Sequence, residues 1–217
     1  TPTTIEDDHA EGMPKTDITE HTASETQGVI LPAVSSVCCA IIASGPDGKT
    51  NWSHDTFFLA LSSARKRIYL TTPYFIPSKP IMAALRAAAQ RGCDVRLLLP
   101  YDSDVPLVRL ASRTYYASLL EMGVRIYEYK EKILHAKTLV IDDQLSILGT
   151  ANVDTRSFQL NFEIGCFFMS STLNKQLTEI FESDLQKSVE IDVVEFEKAS
   201  WAHSIRESLA HLLSPLL

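Results

Sequence analysis

The sequence lacks several features that would place it in other classes of protein. No apolar run approaches the ~20 residues that a membrane-spanning helix needs, and no signal-peptide pattern follows Thr1. The four cysteines show no CxxC spacing and no His/Cys cluster that would suggest zinc; we expect no metal and no cofactor. Cys38 and Cys39 are neighbours in an apolar run, and we expect both to be small buried residues.

A broad excess of positive charge is also missing. The net charge of the 217 residues is -7, and residues 1 to 30 contain seven acids and only one base, Lys15. The remainder is nearly neutral, which does not favour nucleic acid as a partner. Residues 1–32 are rich in Thr, Glu, Asp and Ser and are expected to form a flexible acidic tail or an interdomain linker. Residues 33–217 hold the apolar residues for one sizeable core.

The apolar pattern within that domain predicts an α/β fold. Strands are predicted at 37–43 (buried), 68–72, 95–99, 124–129, 134–141, 145–148 and 162–169, and helices at 53–66, 78–91, 105–122, 171–187 and 195–213. Alternating strands and helices up to residue 129 predict parallel pairing with helices on both faces. The short connections after residue 133 predict some antiparallel pairing. We therefore expect a mixed, mostly parallel sheet.

One short segment contains the residue types of phosphoryl chemistry. His135 and Lys137 are two apart on a predicted strand, so both side chains project to the same face. An imidazole can attack phosphorus or move a proton, and a neighbouring ammonium can bind the phosphoryl oxygens. Asp142 follows where this strand ends.

A second segment adds polar groups directly afterwards. Gly149 allows the backbone to approach closely, Thr150 offers a hydroxyl and Asn152 an amide donor for a phosphate oxygen. Glu163 opens the next strand, where its carboxylate could hold an imidazole N–H.

The pattern His135-x-Lys137-x4-Asp142-x6-Gly149-x2-Asn152 resembles the HKD motif of the phospholipase D superfamily. Its flanks are similar to the C-terminal half of bacterial cardiolipin synthases; these are Thr72–Phe75, Arg91–Arg96, Asp154–Phe158, Leu160–Glu163 and Leu209–Leu217. The resemblance covers residues 37–217. It implies a phospholipase D-type α/β/α sandwich. Thr150 departs from the pattern, because the family usually has serine there.

The resemblance also implies a mechanism and a set of roles. Two HKD motifs share one site, and one histidine becomes a covalent phosphohistidine while the other serves as the acid and base. His135 would be the acid/base, Lys137, Asn152 and Thr150 would bind phosphate, and Glu163 would orient the histidine. Asp142 belongs to the motif and is expected to act mainly as a structural partner within it. Tyr74 and Phe75 are candidates to line the site or to lie in the core.

Only one HKD motif is present, so this chain supplies half of such a site. The predicted function is phosphatidyl transfer between alcohols, with phosphatidylglycerol as the expected substrate and cardiolipin as the product. The second half would come from a preceding segment or from a second copy of the chain. We expect a bacterial protein at the cytoplasmic membrane surface, with any anchor outside this chain.

Two other functions stay open. One is a homodimeric phosphodiesterase or nuclease, and the other is a non-catalytic half that binds lipid or a partner.

Overall fold

The computed structural model describes residues 37–48, 51–131, 133–194 and 196, all within one compact unit, Val34–Leu217. The predicted tail at residues 1–32 lies outside the described residues, and so does the predicted helix at 195–213 except for Phe196. The division of the chain at residue 32 stays a prediction.

Eight strands and six helices occur within the described residues. The strands are β1 Cys38–Ser44, β2 Arg67–Thr71, β3 Asp94–Pro100, β4 Arg125–Tyr129, β5 Thr138–Ile141, β6 Leu145–Gly149, β7 Glu163–Met169 and β8 Ser188–Glu190. The helices are α1 Trp52–Ser63, α2 Lys79–Gln90, α3 Pro106–Arg113, α4 Tyr116–Leu120, α5 Thr155–Gln159 and α6 Ser171–Leu185. None of the described helices is long and apolar enough to cross a membrane.

The strands form one mixed sheet in the order β1-β7-β6-β5-β2-β3-β4-β8. The α/β class and the mixed sheet are confirmed, but the expectation of mostly parallel pairing is wrong. Only β2–β3 and β3–β4 are parallel among the described pairings; the other five are antiparallel. Crossover helices connect β2, β3 and β4, whereas a three-residue turn joins β5 to β6, and β7 and β8 run antiparallel to the strands beside them.

The helices begin and end at residues that satisfy their free backbone groups. Ser78 caps α2, where its hydroxyl accepts a hydrogen bond from the Ile81 N–H, and Gly92 follows the helix at a φ of 87°. The single helix predicted over 105–122 is instead two, α3 and α4, separated at Thr114 and Tyr115. Both halves bury apolar side chains, among them Val108 in α3 and Leu119 in α4.

Helices cover both faces of the sheet, as the α/β/α expectation requires. The larger core cluster lies between the sheet and α1, α2 and α4, and its fully buried members include Leu61, Ile68, Leu85, Leu97 and Leu139. On the other face α6 packs on β2, β4, β5 and β6. There the Phe181 ring stacks on the Tyr69 ring, with a centroid distance of 4.7 Å. This packing fixes the strands whose ends form the site.

Strand β1 forms one edge of the sheet, and this overturns the expectation of a buried strand there. Cys38 and Cys39 are both exposed, so the expectation that they are buried is also wrong. An apolar run identifies a strand but does not tell an edge strand from a central one, because burial depends on which strands become its neighbours. Cys93 is buried in the core.

Candidate active site

Strand ends bring the candidate residues to one edge of the sheet. The carboxyl end of β2 pairs with the amino end of β5 through Thr71 and Thr138, and Thr138 also pairs with Leu148 near the end of β6. Gly149 then pairs with Gly165 near the start of β7. The HKD histidine and lysine, residues 149–152 and Glu163 therefore all lie at this edge.

His135 and Lys137 lie just outside the regular sheet. The predicted strand at 134–141 begins only at Thr138, so the two side chains project from an irregular segment that leads into β5. The Lys137 ammonium donates a hydrogen bond to the carbonyl oxygen of His135, with an N···O distance of 3.0 Å. This contact places the ammonium beside the backbone of His135, although the two residues do not lie on a regular strand.

Burial lowers the pKa of Lys137 below the ordinary value of 10.5. The carboxylates of Glu163, Asp154 and Asp104 oppose this shift, since each favours the charged ammonium. Lys137 thus lies in a partly dehydrated position surrounded by negative charge, where an approaching phosphate would compete with these carboxylates for it. Such a cation is suited to stabilising charge that develops on phosphoryl oxygens.

The imidazole of His135 is exposed and makes no hydrogen bond within the part of the chain that the structure describes. The expected contact with Glu163 is not formed. Glu163 is 9% exposed, and its carboxylate accepts hydrogen bonds from the Thr150 hydroxyl and from the Asn161 amide, the latter at 3.2 Å. In this half of the site the carboxylate is held in place and the imidazole is free to reorient.

The Gly149–Thr150 pair connects β6 to β7 by direct contact. A side chain at Gly149 would place its Cβ 2.6 Å from the carbonyl oxygen of Ile164, so glycine is required by the close approach of the two strands. The Thr150 hydroxyl, expected to bind phosphate, instead donates to Glu163 and accepts from the Ile164 N–H at 3.0 Å. Thr150 therefore positions the carboxylate of Glu163.

Asn152 begins a short polar segment that leads into α5. Its backbone N–H donates to the Ser157 hydroxyl at 3.0 Å, while its side-chain Oδ1 is buried without a hydrogen-bond partner in the described residues. Asp154 caps α5 by accepting from the Ser157 N–H at 2.7 Å, and burial raises the pKa of its carboxyl. This fixed backbone holds the Asn152 amide at the same edge as Lys137.

Asp142 lies at the opposite end of β5 from the histidine. Its carboxylate accepts hydrogen bonds from the backbone N–H groups of Arg65, Lys66 and Arg67, and the shortest of these is 2.7 Å. Its backbone adopts a φ of 48°. These contacts support the expected structural role and are inconsistent with a direct catalytic one.

Tyr74 and Phe75 differ in how deeply their side chains are buried. Phe75 is completely buried in the core, so it does not line the site, for which it was one of the candidates. Tyr74 is partly exposed, and its hydroxyl donates to Asp104 at 2.8 Å. Burial, together with this carboxylate, raises the pKa of Tyr74 to about 12. Tyr74 is thus a neutral hydroxyl at the site edge.

Three polar side chains of this region were not singled out from the sequence. Asn161 holds Glu163, Asp154 orders the backbone after Asn152, and Asp104 binds Tyr74. Asn161 and Asp154 lie within two of the flanking segments named above, Leu160–Glu163 and Asp154–Phe158, so their position was a usable signal. Asp104 comes from the loop after β3, and only the folded sheet brings it near Lys137.

Comparison with known proteins identifies the family. Residues 58–185 match the family described as cardiolipin synthase, PLD-like domain. The chain belongs to this family. This chain is 45% identical over 177 residues to cardiolipin synthase 2 of Bacillus anthracis. The alignment covers 82% of this chain and 34% of that protein. The chain thus spans about a third of the length of the curated relatives it matches.

Solved structures share the fold at low sequence identity. Nuc of Salmonella typhimurium, a phospholipase D family member, superposes with a TM-score of 0.62 at 20% identity, covering 72% of this chain and 99% of Nuc. Phosphatidylserine synthase of Haemophilus influenzae gives a TM-score of 0.64 at 14% identity, over 83% of this chain and 48% of that one. These similarities confirm the phospholipase D-type fold of this cardiolipin synthase, PLD-like domain.

Proposed function

We propose that this chain supplies one half of the active site of a phosphatidyltransferase that makes cardiolipin from phosphatidylglycerol. The observation that carries the proposal is the placement of His135, Lys137 and Asn152 at one edge of the sheet in a member of the cardiolipin synthase family. The reaction is inferred from the name of the relatives, cardiolipin synthase, and the three side chains are suited to it. No cluster of metal-ligating side chains occurs among the described residues.

The proposed reaction has two steps. A histidine from the second half attacks phosphorus, and the bond from phosphorus to the glycerol head-group oxygen breaks as the imidazolium of His135 protonates that oxygen. The acceptor hydroxyl then gives its proton to His135, bonds to phosphorus, and breaks the phosphorus–nitrogen bond. Lys137 and the Asn152 amide would bind the non-bridging oxygens throughout.

The unrestrained ring of His135 supports a site that is completed by residues from a second HKD half. A general acid must be oriented towards the atom that it protonates, yet nothing in the described residues orients the His135 ring. The groups that do so would arrive with a second HKD half, contributed by a longer chain or by another copy. We propose that a longer chain contributes it, because the relatives are about three times longer than the matched segment.

A lipid substrate is supported by the apolar rim of the site. Four large apolar side chains within three residues of His135 or Glu163 along the chain are strongly exposed; they are Ile133 at 82%, Leu160 at 58%, Phe162 at 75% and Ile164 at 48%. Clustered exposed apolar side chains mark a surface that meets lipid or protein. We propose that this rim contacts the acyl region of a substrate at the membrane surface.

The test combines oligomeric mass with activity on phosphatidylglycerol in mixed micelles. The chain alone and the full product of the reading frame that encodes it are compared, each with its His135→Ala variant. We expect cardiolipin formation by the full product and its loss by ~10²–10⁴-fold in the variant, as for removal of a general acid/base. A variant that retains full transferase activity would refute the role of His135. An active dimer of the chain alone would instead mean that two copies complete the site.

A further inference from the structure

A group of cations surrounds an exposed tyrosine beside the site. Tyr101 follows β3 and is 40% exposed. The guanidinium of Arg109 lies 5.3 Å from the centroid of its ring and the ammonium of Lys130 lies 5.0 Å from it. The backbone N–H of Lys130 donates to the carbonyl oxygen of Lys187, which fixes the backbone at the end of β4. Tyr101, Arg109 and Lys130 are called the tyrosine–cation cluster below.

Arg109 has an unused donor in this cluster. Its Nε atom is buried and has no hydrogen-bond partner within the described residues. Arg113, one turn further along α3, donates to Glu128 at 2.5 Å, so that nearby carboxylate is already engaged. Asp104 is likewise engaged by the Tyr74 hydroxyl. A buried donor without an acceptor costs free energy, and a turn of the Arg109 side chain that brings Nε to a bound anion would remove that cost.

The cluster lies close to the phosphoryl site. Arg109 and Ser103 line one cavity with Pro73, the residue before Tyr74. Tyr74 binds Asp104, and the charge of Asp104 acts on Lys137. Across the sheet, β3 is two strands from β5, which is a separation of about 10 Å at the usual spacing between strands. The side chains of Arg109 and Lys130 are long enough to span part of this distance.

We propose that Arg109 and Lys130 bind the phosphate of the acceptor phospholipid and so select an anionic glycerophospholipid as the acceptor alcohol. The inference rests on the proposed function. Lys137 and Asn152 take the phosphate that is transferred, and the acceptor brings a second phosphate that stays intact. In the product a single glycerol joins the two phosphates, so the second must lie near the first. A guanidinium is suited to bidentate phosphate binding, and Tyr101 holds both cations together.

The experiment measures how the enzyme divides one donor between two acceptors. The full product of the reading frame receives phosphatidylglycerol in mixed micelles together with labelled glycerol. Transfer to a second phosphatidylglycerol gives cardiolipin, and transfer to glycerol gives labelled phosphatidylglycerol. We expect Arg109→Gln to lower the ratio of cardiolipin to labelled phosphatidylglycerol by about 10-fold or more, the usual effect of losing a hydrogen bond to a charged group. Lys130→Gln should lower it in the same direction by less.

Arg125→Gln is the matched control. Arg125 also lies over a tyrosine ring, that of Tyr127 at 5.3 Å, but it pairs with Glu190 at the opposite end of β4. This variant should leave the product ratio unchanged. Free phosphate added as a competitor should lower the ratio of the unaltered protein and have less effect on Arg109→Gln, which separates general anion binding from recognition of the lipid.

Each outcome decides the question. A folded Arg109→Gln protein with the unaltered ratio would overturn the inference while leaving the proposed function intact, because cardiolipin would still form. If Arg109→Gln fails to fold, the exposed Lys130 carries the test, and an unaltered ratio in Lys130→Gln would overturn the inference. If the unaltered protein forms neither product, the proposed function fails and this inference fails with it.

Discussion

Replacing Asp142 tests whether the third residue of the HKD motif acts in chemistry or in folding. In the structure its carboxylate connects the turn after β5 to the start of β2, because it accepts hydrogen bonds from three successive N–H groups, those of residues 65 to 67. Asp142→Ala would leave these three donors without their acceptor. We therefore expect a less stable protein whose folded molecules still turn over substrate.

The size of the effect follows from those contacts. A hydrogen bond contributes about 1 kcal/mol net, so three of them contribute about 3 kcal/mol to the free energy of unfolding. Alanine at a φ of 48° adds a strain of about 1 kcal/mol. At about 2–4 °C per kcal/mol for a domain of this size, Asp142→Ala should lower Tm by roughly 8–16 °C. Asp142→Asn should lose less, because it keeps one oxygen and tolerates a positive φ.

The assay is thermal and urea unfolding followed by transferase kinetics well below the variant's Tm. Asp143→Ala is the matched control, since Asp143 is the next residue and its half-exposed carboxylate pairs with the exposed Lys66 and the partly buried Arg67 side chains instead of with backbone N–H groups; its Tm should fall much less. The result that would refute the reasoning is an Asp142→Ala protein of normal stability whose kcat falls by ~10² or more, the loss typical of a missing acid or base.

Three further predictions follow from the structure. Gly149→Ala should destabilise the protein by about 1–3 kcal/mol in urea unfolding, because its Cβ would overlap the carbonyl oxygen of Ile164. Glu128→Ala should cost about 3–5 kcal/mol by the same measurement, because Glu128 is 3% exposed and its removal leaves Arg113 unpaired. Burial lowers the folded-state pKa of Lys137 below the ordinary 10.5, so its ammonium loses its proton at a lower pH than a free lysine does. The value of kcat/KM should therefore begin to fall at a pH below 10.5 as the pH is raised. In Lys137→Arg this fall should disappear from the pH profile.

The local pattern of the sequence was sufficient for most of the helices and strands. The apolar spacing located β2, β3, β4 and β7 and the helices α2 and α6, because each of these elements buries apolar side chains in the fold. Sequence periodicity carries no information about neighbours in space. It therefore missed the antiparallel pairing of β2 with β5, and it did not reveal that β1 is an edge strand.

The site could be predicted as a set of residues but not as a set of contacts. The motif located His135, Lys137, Asn152 and Glu163, and the fold brings all four to one edge of the sheet. The contact of Glu163 with Thr150 was missed, because a threonine hydroxyl can bind phosphate or a carboxylate and the sequence alone does not decide between them. The fold decides, since pairing of Gly149 with Gly165 brings residue 150 beside the start of β7.

The charges around Lys137 lead us to expect that this half is inactive by itself. Lys137 lies among three carboxylates, those of Glu163, Asp154 and Asp104, which favour its positive charge but also repel a phosphate. A lipid phosphodiester therefore gains little from Lys137 alone. A second HKD half would add another lysine and histidine on the facing side, and the field at phosphorus would then become net attractive. We expect a phosphate analogue such as vanadate to bind the chain alone weakly and the completed site tightly, because the carboxylates are fixed in this half while the compensating cations are divided between the two.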